Sequence, residues 1–188
     1  MGERMLRIGV TGHRSLTELD KINAGIKKAL DRIARLFRDR SFTVVSSLAE
    51  GADRLVVHQA LRNYPDSLLE VILPLPATEY QEHFSSRESK KEFQSLLNLA
   101  INIDELPEAP LQDAYLAAGR KILERCDVLI AIWDGKEARG RGGTGDIVVR
   151  ARDQHLPILW IHAANVDQEM GQPLSMEEEQ GSVTAENF

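Results

Sequence analysis

Cysteine, aromatic side chains and long apolar runs are all scarce in this chain, and each scarcity removes a class of protein. A single thiol, Cys126, excludes an intrachain disulfide framework and any cysteine-based zinc cluster. The longest apolar runs, Asp127–Trp133 and Leu156–Ile161, fall far short of the roughly 20 residues that cross a bilayer. Met1–Arg7 also lacks the apolar core of a signal peptide, so the expectation is a cytoplasmic protein with no membrane association. Aromatic residues make up 5% of the chain, too few for a groove that stacks single-stranded bases on successive rings.

Positive charge is also missing where it would matter for duplex nucleic acid. The net charge is −6, from 23 Lys+Arg against 29 Asp+Glu. Residues 164–188 carry Asp167, Glu169, Glu177, Glu178, Glu179 and Glu186 with no base, leaving 23 acids against 23 bases in 1–163. A neutral body lacks the broad basic face that holds phosphate backbones. The acidic stretch 164–188, with Gly171, Pro173 and Gly181 and few large apolar residues, reads as a mobile tail beside a domain spanning 1–163.

What is present is an alternation of short apolar runs and amphipathic stretches without internal repeats. A chain of 188 residues suits one domain of about 100–200 residues with a sizeable core. Strands are predicted at Leu6–Thr11, Phe42–Ser46, Leu69–Leu73, Asp127–Trp133 and Pro157–Ile161. After the first strand, Ser15 and Glu18 suggest a capping box, and Leu19, Ile22, Ile26, Leu30, Ile33 and Phe37 recur at helical spacing. Further helices are predicted after Asp53, around Glu88–Ala100, over Leu111–Arg125 and over Asp146–Asp153, with a short strand at Ile101–Asp104. The run Val128–Trp133 is apolar at every position, as a central strand covered on both faces should be. The expected fold is an α/β Rossmann-like, doubly wound parallel sheet of order 3-2-1-4-5, because right-handed crossovers leave few alternatives.

Ligands of such sheets bind beyond the carboxyl ends of the strands, where the strand order reverses. Three loops converge there. Gly12-His13-Arg14 follows the first strand; His13 and Arg14 either contact phosphate or close the turn. It lacks G-x-G-x-x-G and G-x-x-x-x-G-K-[ST], which argues against a plain dehydrogenase or a P-loop NTPase. Ser46-Ser47-Leu48-Ala49-Glu50-Gly51-Ala52-Asp53 offers hydroxyls, Glu50 and Asp53 at a helix start, either to ribose or base or as ordinary capping. The loop from Asp134 to Asp146 carries Arg139, Arg141, Gly142, Gly143 and Thr144, the composition of a phosphate cradle or of a flexible loop with a threonine cap. His58, His83, His155 and His162 have no metal-ligand spacing, and Cys126 reads as a core thiol. No metal and no cofactor is expected.

Taken together, Ile8–Arg14, Ser46–Asp53, Asp127–Gly135 and Arg141–Asp146 resemble the SLOG superfamily, over about residues 6–162. That superfamily joins the DNA-processing protein DprA, the LOG (lysine-decarboxylase-like) nucleotide phosphoribohydrolases and the nucleotide-sensing domains of bacterial conflict systems and TRPM channels. The resemblance implies a Rossmann-like domain that binds a nucleotide or nucleotide-derived small molecule, ADP-ribose-like, with Gly12, His13, Arg14, Ser47, Glu50, Gly51, Asp53, Asp134, Arg141, Gly142, Gly143, Thr144 and Asp146 at the site. The LOG enzymes carry P-G-G-x-G-T-x-x-E, whose last Glu is catalytic. Here Arg141 replaces the Pro, Thr144 follows Gly143 directly, Ile147 stands three residues after Thr144, and Asp146 comes one residue early. The expectation is therefore a ligand sensor. The alternative is a nucleoside monophosphate N-glycosidase, with Glu50 or Asp146 stabilising the sugar cation and Arg14 or Arg141 holding phosphate. DprA-like single-strand binding ranks third, and exposed sheet or helix faces would allow a homo-oligomer.

Overall fold

In a computed structural model the chain is described over residues 5–38, 40–107, 109–138, 140–166 and 171–188. Arg139, Asp167 and Glu169 lie outside the described residues, as does most of the segment read for a signal peptide. Seven strands form one sheet: β1 (Leu6–Gly12), β2 (Phe42–Ser46), β3 (Leu68–Leu73), β4 (Asn102–Glu105), β5 (Val128–Trp133), β6 (Ile158–His162) and β7 (Val183–Glu186), in the order β4-β3-β2-β1-β5-β6-β7. All pairings are parallel except β6 with β7. The helices are α1 (Leu19–Leu36), α2 (Ala52–Asn63), α3 (Ala77–Tyr80), α4 (Arg87–Leu97), α5 (Leu111–Arg125) and α6 (Thr144–Asp153). The fold is thus a Rossmann-like doubly wound α/β sheet. The five expected strands are present in the expected order; the short strand expected at Ile101–Asp104 is β4 at one edge, and β7 is added at the other.

Side-chain alternation along β5 divides the core. Val128, Ile130 and Ile132 join the layer containing Ile22, Ile26, Ile33 and Val56 from α1 and α2. Leu129, Ala131 and Trp133 join Leu116, Leu123, Ile147 and Val148 from α5 and α6. A strand covered on both faces has no room for a polar position, which is why its sequence is unbroken by one. Helix α1 buries Ile22, Gly25, Ile26, Ala29, Leu30 and Ile33 on one stripe. None of the helices described is long and apolar enough to cross a membrane.

Two local expectations change. Ser15 does not cap α1: the helix starts at Leu19, and Glu18, in a left-handed conformation, bonds Lys21 and Ser175 through its carboxylate. Residues 16 and 17 are engaged elsewhere, Leu16 bridging Asn165 and the Thr17 hydroxyl donating to the Leu174 carbonyl at 2.5 Å. The acidic C-terminal stretch likewise does more than trail. Gln180, 4% exposed, accepts from the Ala164 N–H and donates to the Thr17 carbonyl, and Val183–Glu186 extends the sheet. Arg152 holds Glu186 with two hydrogen bonds of 2.8 and 2.7 Å.

Candidate functional site

The order reverses between β1 and β5, whose carboxyl ends are tied together. The His13 N–H donates to the Ile132 carbonyl at 3.0 Å. Its imidazole Nε2 accepts from the Asp134 N–H at 3.2 Å and lies 3.3 Å from Asp134 Oδ1. His13 therefore spans the switch point. Asp134 Oδ1 also accepts from the Lys136 N–H, closing the turn after β5. The start of α2 docks on the same loop: the Ala52 N–H donates to the His13 carbonyl at 3.1 Å. Gly12 and Gly51 make this approach possible. A Cβ at Gly12 would stand 2.4 Å from Ala52 Cβ, and one at Gly51, where φ is 79°, would stand 2.5 Å from the His13 carbonyl oxygen.

Asp53 orders the β2–α2 loop from beneath. Its Oδ2 accepts from the Ser46 hydroxyl (2.9 Å), the Ser47 N–H (3.1 Å) and the Ala49 N–H (3.4 Å). Leu48 is held at a φ of 55° with its N–H on the Ser46 hydroxyl. Burial pushes the Asp53 carboxyl up to about 6, against the pull of its hydrogen bonds and of Arg14. Asp53 is thus a loop brace, sealed from solvent, and Ser47 contributes its backbone to that brace. Glu50 faces the other way. Its Oε1 accepts from the Ser85 N–H, the Ser85 hydroxyl and the Ser89 hydroxyl. Desolvation opposes its ionisation, but these hydrogen bonds prevail and keep the carboxyl below the usual range.

A groove of about 680 Å³ opens on this side of the loops, with Arg14, Glu50, Gly51 and Arg54 along it and Leu16, Leu19 and Leu55 as its apolar wall. Arg54, absent from the sequence-based set, is 3% exposed and anchors the groove. Its Nε donates to the Leu48 carbonyl (3.0 Å), and its Nη1 reaches the Ser89 carbonyl and hydroxyl and Glu92 Oε2. The guanidinium stands 4.5 Å from the centre of the Phe84 ring.

The other side of the groove is the start of α4, with Ser86, Glu88, Ser89 and Glu92, and the loop after β5 forms a separate rim packed on α5. Gly142, with φ 77°, packs so tightly on α5 that a Cβ would lie 2.5 Å from the Leu116 N and 2.9 Å from the Tyr115 carbonyl carbon. Its N–H donates to Asp146 Oδ2 (3.0 Å), and Asp146 Oδ1 accepts from Arg150 Nε (2.9 Å). The Gly143 N–H donates to the Gly140 carbonyl. Both glycine amides are therefore spent inside the loop. The donors left for an anion at this rim are the first-turn amides of α6, beginning at Thr144, which have no intrahelical acceptor. Arg141 pairs with Asp113 at 3.1 Å on the surface. Tyr115 stands between the groove and the α6 rim: Gly142 rests against its backbone, and the Arg14 guanidinium lies 5.1 Å from its ring centre.

The sequence-predicted residues thus form two groups around Tyr115. Arg14, Glu50 and Gly51 line the groove, while Arg141, Gly142, Gly143, Thr144 and Asp146 build the α6 rim, with Gly12, His13, Ser47, Asp53 and Asp134 as the frame between them. The arrangement presents positive helix ends and Arg14 to an anion. Its carboxylates are engaged: Asp146 through both oxygens and Glu50 through three bonds on one. Among the described residues no cluster of His, Cys, Asp and Glu could hold a metal ion. Burial pushes the Cys126 thiol up to about 12, so it is not a thiolate at neutral pH. No protein-family model matches the chain, and no curated protein matches it either.

Proposed function

We propose that this chain binds a nucleotide or nucleotide-derived small molecule, ADP-ribose-like, at the carboxyl ends of β1, β2 and β5. The observation that carries the reading is the meeting of loops at the strand-order reversal, where His13 bonds both Ile132 in β5 and Ala52 at the start of α2, beside the Arg14 guanidinium over Tyr115. Doubly wound sheets bind phosphorylated ligands at this position because helix N-termini there offer unpaired N–H groups and positive dipole ends. The phosphate sits on the first turn of α6 at Thr144, and the sugar and base extend past Arg14 toward the groove. The resemblance of Ile8–Arg14, Ser46–Asp53 and Arg141–Asp146 to the SLOG superfamily supports the same reading. Binding without hydrolysis fits carboxylates already committed to loop hydrogen bonds.

The test combines melting temperature and free-base release in the presence of AMP, GMP, NAD and ADP-ribose. A bound ligand at 100-fold its Kd stabilises the native state by about 2.7 kcal/mol, roughly 5–10 °C for a chain of this size. A rise of that order with the nucleotide recovered intact supports a binding module. Base released in step with protein concentration, and lost in Glu50→Gln or Asp146→Asn, would make the protein an N-glycosidase instead.

A further inference from the structure

Beneath Arg14 lies a set of polar atoms that the fold buries without satisfying. Tyr80 is fully buried and packs edge-on against Phe84 (5.1 Å) and Phe93 (5.8 Å), with Tyr115 at 6.2 Å. Its hydroxyl has no hydrogen-bond partner among the described residues, and neither do the Tyr115 hydroxyl and Arg54 Nη2. Arg54 spends its other nitrogens on Leu48, Ser89 and Glu92. These groups come from the β3–α4 connection, α5 and α2, yet they lie close enough to act on one another: Arg14, Arg54, Asp53 and Tyr115 all influence the Tyr80 phenol, whose ionisation burial opposes most strongly. The Arg14 guanidinium sits over the Tyr115 ring and acts on both phenols, its nitrogens reaching the Tyr115 oxygen; a guanidinium only donates, so the Tyr115 O–H itself still lacks an acceptor. Buried polar groups left unpaired are costly, and three from three elements, joined by the Tyr80–Tyr115 ring contact and by the Phe84 ring shared between Tyr80 and Arg54, call for an acceptor.

We infer that Tyr80, Tyr115 and Arg54 form a donor subsite for a second phosphate of the ligand, roofed in the free protein by Arg14. The three groups present O–H, O–H and N–H donors, which match the acceptor oxygens of a phosphate. Arg14 is exposed at the groove and able to follow an incoming anion. Its displacement uncovers the donors, so the ligand satisfies groups that the free fold leaves unpaired. This rests on the nucleotide reading above and sharpens it: with one phosphate at α6 and one here, the preferred ligand is a nucleoside diphosphate rather than a monophosphate.

The experiment titrates AMP and ADP into the wild-type protein, Tyr80→Phe and Tyr115→Phe, and measures the melting temperature of each without ligand. Wild type is expected to bind ADP at least 10-fold more tightly than AMP. Tyr80→Phe should melt at or above the wild-type temperature, since it deletes a hydroxyl that has no partner, while the preference of each Phe variant for ADP falls roughly 10- to 100-fold, the worth of a hydrogen bond to a charged group. A lower melting temperature in Tyr80→Phe would show that the hydroxyl is already satisfied and would overturn the subsite. Equal ADP preference in wild type and both variants would overturn it too, leaving AMP binding and the nucleotide reading intact. Failure of wild type to bind either nucleotide would overturn the subsite, and failure with ADP-ribose as well would overturn the nucleotide reading.

Discussion

Replacing Asp53 by Asn should abolish one segment of the pH dependence of stability, with a size that follows from burial. Asp53 is 5% exposed beneath the β2–α2 loop, and its carboxyl is raised from 3.8 to about 6. A folded-state pKa above the unfolded value means that the native state holds the proton more tightly. Stability is therefore greatest below about pH 4, declines as pH rises through the folded value, and carries the full ionisation cost above it. A shift of roughly two units corresponds to about 3 kcal/mol. Asn keeps one oxygen to accept from Ser46, Ser47 and Ala49 and has no charge to desolvate. The assay is urea unfolding of wild type and Asp53→Asn at half-unit steps from pH 4 to 8. Glu50, Glu92 and Glu186 have lowered pKa values and act in the opposite sense, giving stability that is present above their usual range and lost as pH falls. They act in both proteins, so the difference isolates Asp53. The variant should gain on wild type by roughly 2–3 kcal/mol between pH 4 and pH 7, after some loss of attraction to Arg14. Parallel profiles over that range would refute the reasoning.

The two glycines of the α6 rim should separate in their response to substitution. Gly142→Ala meets both a positive φ and the Leu116 N at 2.5 Å, so it should cost about 2 kcal/mol or more in chemical denaturation. Gly143→Ala has φ −70° and meets nothing nearer than the Gly140 carbonyl oxygen at 3.2 Å, so it should change stability by only about 0.5 kcal/mol. Gln180→Ala strands the buried Ala164 N–H and the Thr17 carbonyl; a loss of about 1–3 kcal/mol is expected, with faster amide exchange in Val183–Glu186. Glu186→Gln weakens a partly exposed pair with Arg152 and should cost under about 1 kcal/mol, shrinking further as salt is added.

Elements whose burial is written into local periodicity are legible in the amino-acid sequence alone. The unbroken run Val128–Trp133 could only be a strand covered on both faces, and the spacing of Ile22, Ile26, Leu30 and Ile33 could only bury one stripe of a helix. With those placed, chain handedness leaves little choice of strand order. What stays hidden depends on partners distant in sequence. Nothing near Tyr80 announces that Phe84, Phe93 and Tyr115 enclose it, because residues 77–86 hold a helix of one turn with no repeat to read. Arg54 looks like one more charge on a helix until Phe84, Leu48 and Glu92 are seen around it. The C-terminal strand is obscured by composition: its four residues offer little pattern, and docking depends on one glutamine and on Gly181. There φ is 82°, and a Cβ would stand 2.3 Å from the Lys21 carbonyl oxygen. At the rim the residue types mark the loop but not its bonding: the Gly142 amide is shared with Asp146 and the Gly143 amide with Gly140, pairings that composition alone does not announce.

The most direct measurement is calorimetric titration of AMP, ADP and ADP-ribose into wild type and Gly143→Trp. Gly143 precedes the first turn of α6 with a backbone conformation open to any residue, so a bulky side chain there blocks the rim without forcing the backbone. Stoichiometric binding to wild type, lost at least 100-fold in a Gly143→Trp protein that unfolds at an unchanged urea midpoint, is the predicted result. Equal affinity in both proteins, or no heat with any of the three ligands, would contradict nucleotide binding at this rim.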